Sequence, residues 1–93
     1  MDIYPGLIVK AIAGRDKDKY FVVLSADDSF CYITDGKRRK VDMPKRKKIK
    51  HLEVTELYSE LIREKLEGGQ VIGNSMVRKE LNNAKGGIIH GKR

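Results

Sequence analysis

The stretch Leu7-Ile8-Val9-Lys10-Ala11-Ile12 is apolar apart from Lys10, and a polar loop centred on Gly14 and running to Lys19 follows it: a strand, then a turn. Tyr20 to Leu24 is a second strand, whose aromatic and β-branched residues suit a pleated, half-buried surface. Ser25-Ala26-Asp27-Asp28 has turn composition and leads into a third strand, Phe30 to Thr34, so these two are expected to form a hairpin. Asp35-Gly36 signals a tight turn, because such turns need positive φ, which Gly adopts freely and Asp tolerates. Beyond it, Lys37 to Asp42 is expected as a short charged strand that Pro44 interrupts, and Lys48 to Glu53 as a last strand with Ile49 and Leu52 inward. Five short strands at this spacing predict a small β-barrel.

After Val54 the period changes. Leu57, Tyr58, Leu61, Ile62 and Leu66 recur at three- and four-residue spacing, which predicts an amphipathic helix with Thr55 as its cap and Gly68-Gly69 at its end. A second, short helix is expected from Ser75 to about Ala84, capped by Asn74 or Ser75, with Met76, Val77, Leu81 and Ala84 on one side. The segment 86–93 contains Gly86-Gly87 and Gly91 and shows no dependable period, so it is expected to be a flexible tail. The fold class is thus mainly β with C-terminal α: a barrel over 1–54, a helical extension over 55–85 and the tail.

With 93 residues there is room for one small core and little room for a deep catalytic cavity. Charge sharpens the picture. The chain carries +7, yet Lys37 to Lys50 holds nine Lys or Arg against Asp42 alone, so that segment is +8 and the remainder −1. One concentrated cationic patch is the electrostatic footprint of a nucleic-acid binder. A lone cysteine excludes an internal disulfide, and Cys31, in step with Ile33, is expected to be a buried inert thiol. No apolar run approaches the ~20 residues needed to span a bilayer, and the start Met1-Asp2-Ile3-Tyr4-Pro5 has no signal-peptide pattern, so a cytoplasmic location is expected. His51 and His90 stand apart from any Cys pair or His/Glu ligand spacing, and no Gly-x-x-x-x-Gly-Lys-Ser/Thr loop occurs. Neither metal, cofactor, small-molecule substrate nor enzyme activity is expected.

The segment from Gly6 to Val23 resembles the KOW motif of ribosomal and transcription-elongation proteins, on Gly6, Val9, Gly14, Lys17 or Lys19, and Val22. The similarity continues through Ile33-Thr34-Asp35-Gly36-Lys37-Arg38-Arg39-Lys40-Val41 and Lys47-Lys48-Ile49-Lys50-His51-Leu52, and is to the large-subunit ribosomal protein family of the fourteen-e type, particularly its short bacterial relatives. The resemblance implies an SH3-like five-stranded barrel that binds RNA or protein, with Gly6, Gly14 and Gly36 as structural positions. The family's loop usually has Lys-Gly or Gly-Lys where this chain has Lys17-Asp18-Lys19. Asp tolerates a left-handed turn position, so the loop shape can survive, while its charge weakens a phosphate contact.

The candidate RNA-binding residues are Lys37, Arg38, Arg39, Lys40, Lys45, Arg46, Lys47, Lys48 and Lys50, with Arg15, Lys17 and Lys19 in the first loop, where Asp16 and Asp18 offset the field. Tyr20 and Tyr32 are expected to pack rather than to stack on bases, and Glu53, Glu56, Glu60, Glu64 and Glu67 to form the solvated side of the first helix. The expected partner is structured RNA, ribosomal RNA first, with ribosomal proteins as neighbours. The competing expectation is a protein-interaction module using the barrel and an exposed helix stripe from Leu57 to Leu66.

Overall fold

A computed structural model describes residues 3–90 of the chain, with side chains described for 3–85. Five strands, β1 (Leu7–Ala11), β2 (Tyr20–Ala26), β3 (Phe30–Thr34), β4 (Lys45–Lys48) and β5 (Leu52–Tyr58), are followed by helices α1 (Glu60–Glu67) and α2 (Asn74–His90). A one-turn 3-10 helix, Ile49–His51, links β4 to β5. The strands form one antiparallel sheet in the order β4-β3-β2-β1-β5. It is mainly β with C-terminal helices, as expected, but β4 and β5 are not paired, so the sheet is open.

Period-2 alternation gives the sheet two apolar faces. Leu7, Val9, Ala11, Phe21, Val23, Cys31, Ile33 and Leu52 are buried together on the inner face. On the outer face Ile8 and Val22 are buried with Ile62 of α1, Ile72, and Val77 and Leu81 of α2. The helices therefore cover part of the sheet's back, and Met76 and Ala84 pack there as the helical spacing predicted.

Four expectations need correction. Lys37–Asp42 is not a strand: Asp35 Oδ1 accepts from the N–H groups of Lys37 and Arg39, each at 2.9 Å, and the Arg39 carbonyl accepts from Asp35 N, Gly36 N and Thr34 Oγ1. These local bonds occupy the groups a ladder would need. The first helix starts later, because β5 runs to Tyr58, paired with β1 across a register shift between Leu7 and Val9. Ser59, not Thr55, is the cap, its Oγ accepting from Ile62 N at 3.1 Å. Thr55 lies within β5, so the boundary expected at 54/55 falls inside a strand. Lys48–Glu53 is split between the end of β4, the 3-10 turn and the start of β5. The second helix is longer than expected, passing through Gly86 and Gly87 to His90; residues 91–93 of the expected tail lie outside the described residues.

Candidate nucleic-acid interface

The β1–β2 loop is built by main-chain bonds, with Lys17 N donating to Gly14 O at 3.2 Å and Asp18 N to Ala11 O at 2.7 Å. Gly14 has φ +81° and Asp18 φ +71°, the left-handed conformations expected of a loop this tight. Arg15, Lys17 and Lys19 project from it exposed. Asp16 turns inward, and its Oδ2 meets Arg39 Nη2 at 3.0 Å with the carboxylate side chain only 6% exposed.

The 35–44 loop lies against α2. Arg78 Nη1 donates to the Gly36 carbonyl at 2.7 Å, and Val41 N donates to Asn74 Oδ1 at 2.8 Å. A Cβ on Gly36 would stand 2.5 Å from the Asn74 carbonyl, so this approach requires glycine. Gly6, the third motif glycine, accepts from Ser59 N at 2.9 Å and ties the start of β1 to the β5–α1 corner.

The nine cations of 37–50 divide sharply. Arg39 is spent on Asp16, its Nε buried without a hydrogen-bond partner among the described residues. Lys47 faces the inner side of β4, 9% exposed, and its ammonium donates to the Ala13 carbonyl at 3.0 Å. The seven others have no carboxylate partner within 4.0 Å among the described residues. Lys37, Arg38, Lys40, Arg46, Lys48 and Lys50 are exposed and Lys45 is half-buried.

Next to Arg46 and Lys48 the outer face of β3 carries aromatic surface. The Arg46 guanidinium sits 3.5 Å from the Phe30 ring centroid, and Tyr32, paired in register with Arg46, is 38% exposed. Tyr20, half-buried in the outer core, has Lys10 Nζ at 5.9 Å and Lys85 Nζ at 5.5 Å from its ring centroid. The β2–β3 turn beside this surface is acidic: Asp27 Oδ1 accepts from Phe30 N and Ser29 N, and those bonds hold its carboxyl below the usual range.

A cleft of about 370 Å³ opens between the β1–β2 loop, the 35–44 loop and α2. Lys19, Lys37 and Arg38 line it as candidates from the sequence; Arg78, Asn82 and Lys85 line it from α2 and were not among them. The signal was present in the spacing, since 78, 81, 82 and 85 fall on one helical face. Leu81 belongs to the outer core, so its neighbours stand at the edge where helix meets sheet.

Cys31 is fully buried beside Ile33, and burial, with the Asp27 charge as the lesser cause, pushes its thiol up to about 11. Among the described residues no cluster of His, Cys, Asp or Glu is arranged to hold a metal. None of the described helices is long and apolar enough to cross a membrane. No protein-family model and no curated protein matches the chain.

Proposed function

We propose that the chain is a non-enzymatic RNA-binding protein of the KOW, SH3-like type, acting in the cytoplasm on ribosomal RNA or another structured RNA, with ribosomal proteins as its neighbours. The observation that carries this is the set of seven cations between Lys37 and Lys50 without a carboxylate partner among the described residues. Charges left unpaired on one segment repel each other, and phosphates relieve that repulsion while releasing condensed counterions. The β1–loop–β2 unit with left-handed Gly14 and Asp18, and the return of β5 to pair with β1, support the KOW-type assignment.

Protein docking through the helix stripe is less favoured, because Leu57, Ile62 and Leu66 are engaged in the outer core and only Tyr58 and Leu61 of the stripe are exposed.

The test replaces Lys45, Arg46 and Lys48 with Ser and retains Lys47, whose ammonium bonds to Ala13. The variant stays folded and binds RNA more weakly at physiological salt. Its plot of log affinity against log salt becomes shallower by about 0.7–0.9 for every phosphate that the missing cations had neutralised. A folded variant with unchanged affinity and slope excludes β4 as a phosphate-binding strand. Weakening confined to one RNA sequence among several of similar shape points to base reading instead of phosphate binding.

A further inference from the structure

On the basis of the proposed RNA binding, we infer that the cleft between the two basic loops and α2 receives a single unpaired RNA nucleotide. Its phosphates would meet the cations at the rim, and its base would lie against Tyr20. The cleft's volume of about 370 Å³ lies near the small end of the ~300–1,000 Å³ typical of ligand sites. That suits one extruded nucleotide and is far too small for a duplex.

Three separate elements bring cations to this one opening: Lys19 from the first loop, Lys37 and Arg38 from the second, and Arg78 and Lys85 from α2. Two acids, Asp18 and Asp35, stand at the rim against these five cations. Asp18 lies 3.9 Å from Lys10, and Asp35 Oδ1 accepts from two main-chain N–H groups. The field that remains favours an anion.

The floor distinguishes a nucleotide from a bare phosphate. Tyr20 and Leu81 are both part of the outer core and both line the cleft, giving it an apolar, aromatic wall. Lys85 Nζ lies 5.5 Å from the Tyr20 centroid, where a base would stack. Base–aromatic stacking exceeds an exposed cation–π contact, and a lysine side chain swings away readily, so the base displaces the ammonium and frees it for the phosphate. Asn82 is exposed at the rim with no side-chain hydrogen bond among the described residues, which leaves its amide available to a base edge. In this arrangement α2 is one wall of the RNA site as well as a cover for the sheet.

The test measures binding of the full chain to an RNA hairpin with one bulged nucleotide in its stem and to the same hairpin without the bulge, the apical loop of both replaced by a non-nucleotide linker so that the bulge is the one unpaired base. Wild-type protein should prefer the bulged RNA by about tenfold, the scale of one base stacked on an aromatic ring. Tyr20→Leu should erase that preference and leave affinity for the paired hairpin unchanged. The Lys37→Ser/Lys85→Ser variant, altered only at the rim, should also reduce the preference, with circular dichroism confirming its fold. Replacing Lys45, Arg46 and Lys48 should weaken both RNAs equally. Equal binding of the two hairpins by wild-type protein overturns the cleft assignment and leaves RNA binding standing. A preference that survives both cleft variants overturns it as well. Failure to bind either hairpin removes the RNA-binding proposal itself, and the cleft assignment with it.

Discussion

The inner and outer faces of the sheet use the same alternating strands to different ends. On the inner face, residues from β1, β2, β3 and β5 close on one another, and even the β4 lysine that points inward, Lys47, is buried. The outer face is divided. The β1–β2 half is covered by α1, α2 and Ile72, while the β3–β4 half leaves Tyr32, Arg46 and Lys48 exposed. A lysine in a basic run is therefore not a binding charge until its face is known: Lys47 and Lys48 are neighbours in sequence, and one is structural.

The largest test of this division is truncation of each core. Phe21→Ala should cost about 3–5 kcal/mol and Ile62→Ala about 2–5 kcal/mol by chemical denaturation. The two should differ more in where they act. Phe21→Ala should lower amide protection across the whole domain, and Ile62→Ala chiefly in α1 and α2. Matching reductions across the sheet in both variants would show that the two faces form one cooperative unit.

Gly36→Val should destabilise by about 2–4 kcal/mol, combining a strained φ with overpacking against the Asn74 carbonyl. Gly14→Val should cost less, about 1–3 kcal/mol from its strained φ, because the added Cβ meets one side-chain atom, the Lys47 ammonium at 3.1 Å, and no backbone. Equal shifts in melting temperature would show that the loop's approach to α2 is unimportant to the outer layer.

Burial of Cys31 on the inner face predicts an alkaline instability. Its folded thiol titrates at about 11, above the ordinary 9.0, so the folded state retains a proton that the unfolded chain gives up. This contribution is complete below pH 9 and disappears as pH rises through about 11, a fall of about 2–3 kcal/mol. Denaturation across that range should show a shallower decline for Cys31→Ala, and an unchanged decline would mean that solvent reaches the inner face. The smallest contrast lies along β4. Lys47→Ser should cost about 1–2 kcal/mol by removing a hydrogen bond and a buried stem, whereas Lys48→Ser should stay within about 0.5 kcal/mol.

The legible parts of the fold were those with an apolar period. β3 occupies the expected Phe30–Thr34, with Cys31 and Ile33 inward, and the apolar side of α2 is the one its spacing predicted. Leu52 and Val54 alternate inward as a strand does, but the helical spacing that begins at Leu57 masked the length of β5. The cationic run was opaque for a different reason: its two blocks, Lys37-Arg38-Arg39-Lys40 and Lys45-Arg46-Lys47-Lys48, contain no apolar residue to mark which face is inside. The bonds that sort it, Arg39 to Asp16, Lys47 to Ala13 and Arg78 to Gly36, span 23, 34 and 42 residues. Only the folded chain brings those partners together.

The position of β4 at the margin of the sheet has a consequence for self-association. One side of its backbone pairs with β3, and no further strand of the sheet pairs with the other. Such a margin is a template on which a second copy can add a strand. Here any copy docking by its own β4 would bring Lys45-Arg46-Lys47-Lys48 against the same four residues at a strand spacing of about 4.8 Å. Charge repulsion between the two strands then opposes the main-chain hydrogen bonds they would gain, so the segment guards the protein against fibril-like growth from this side.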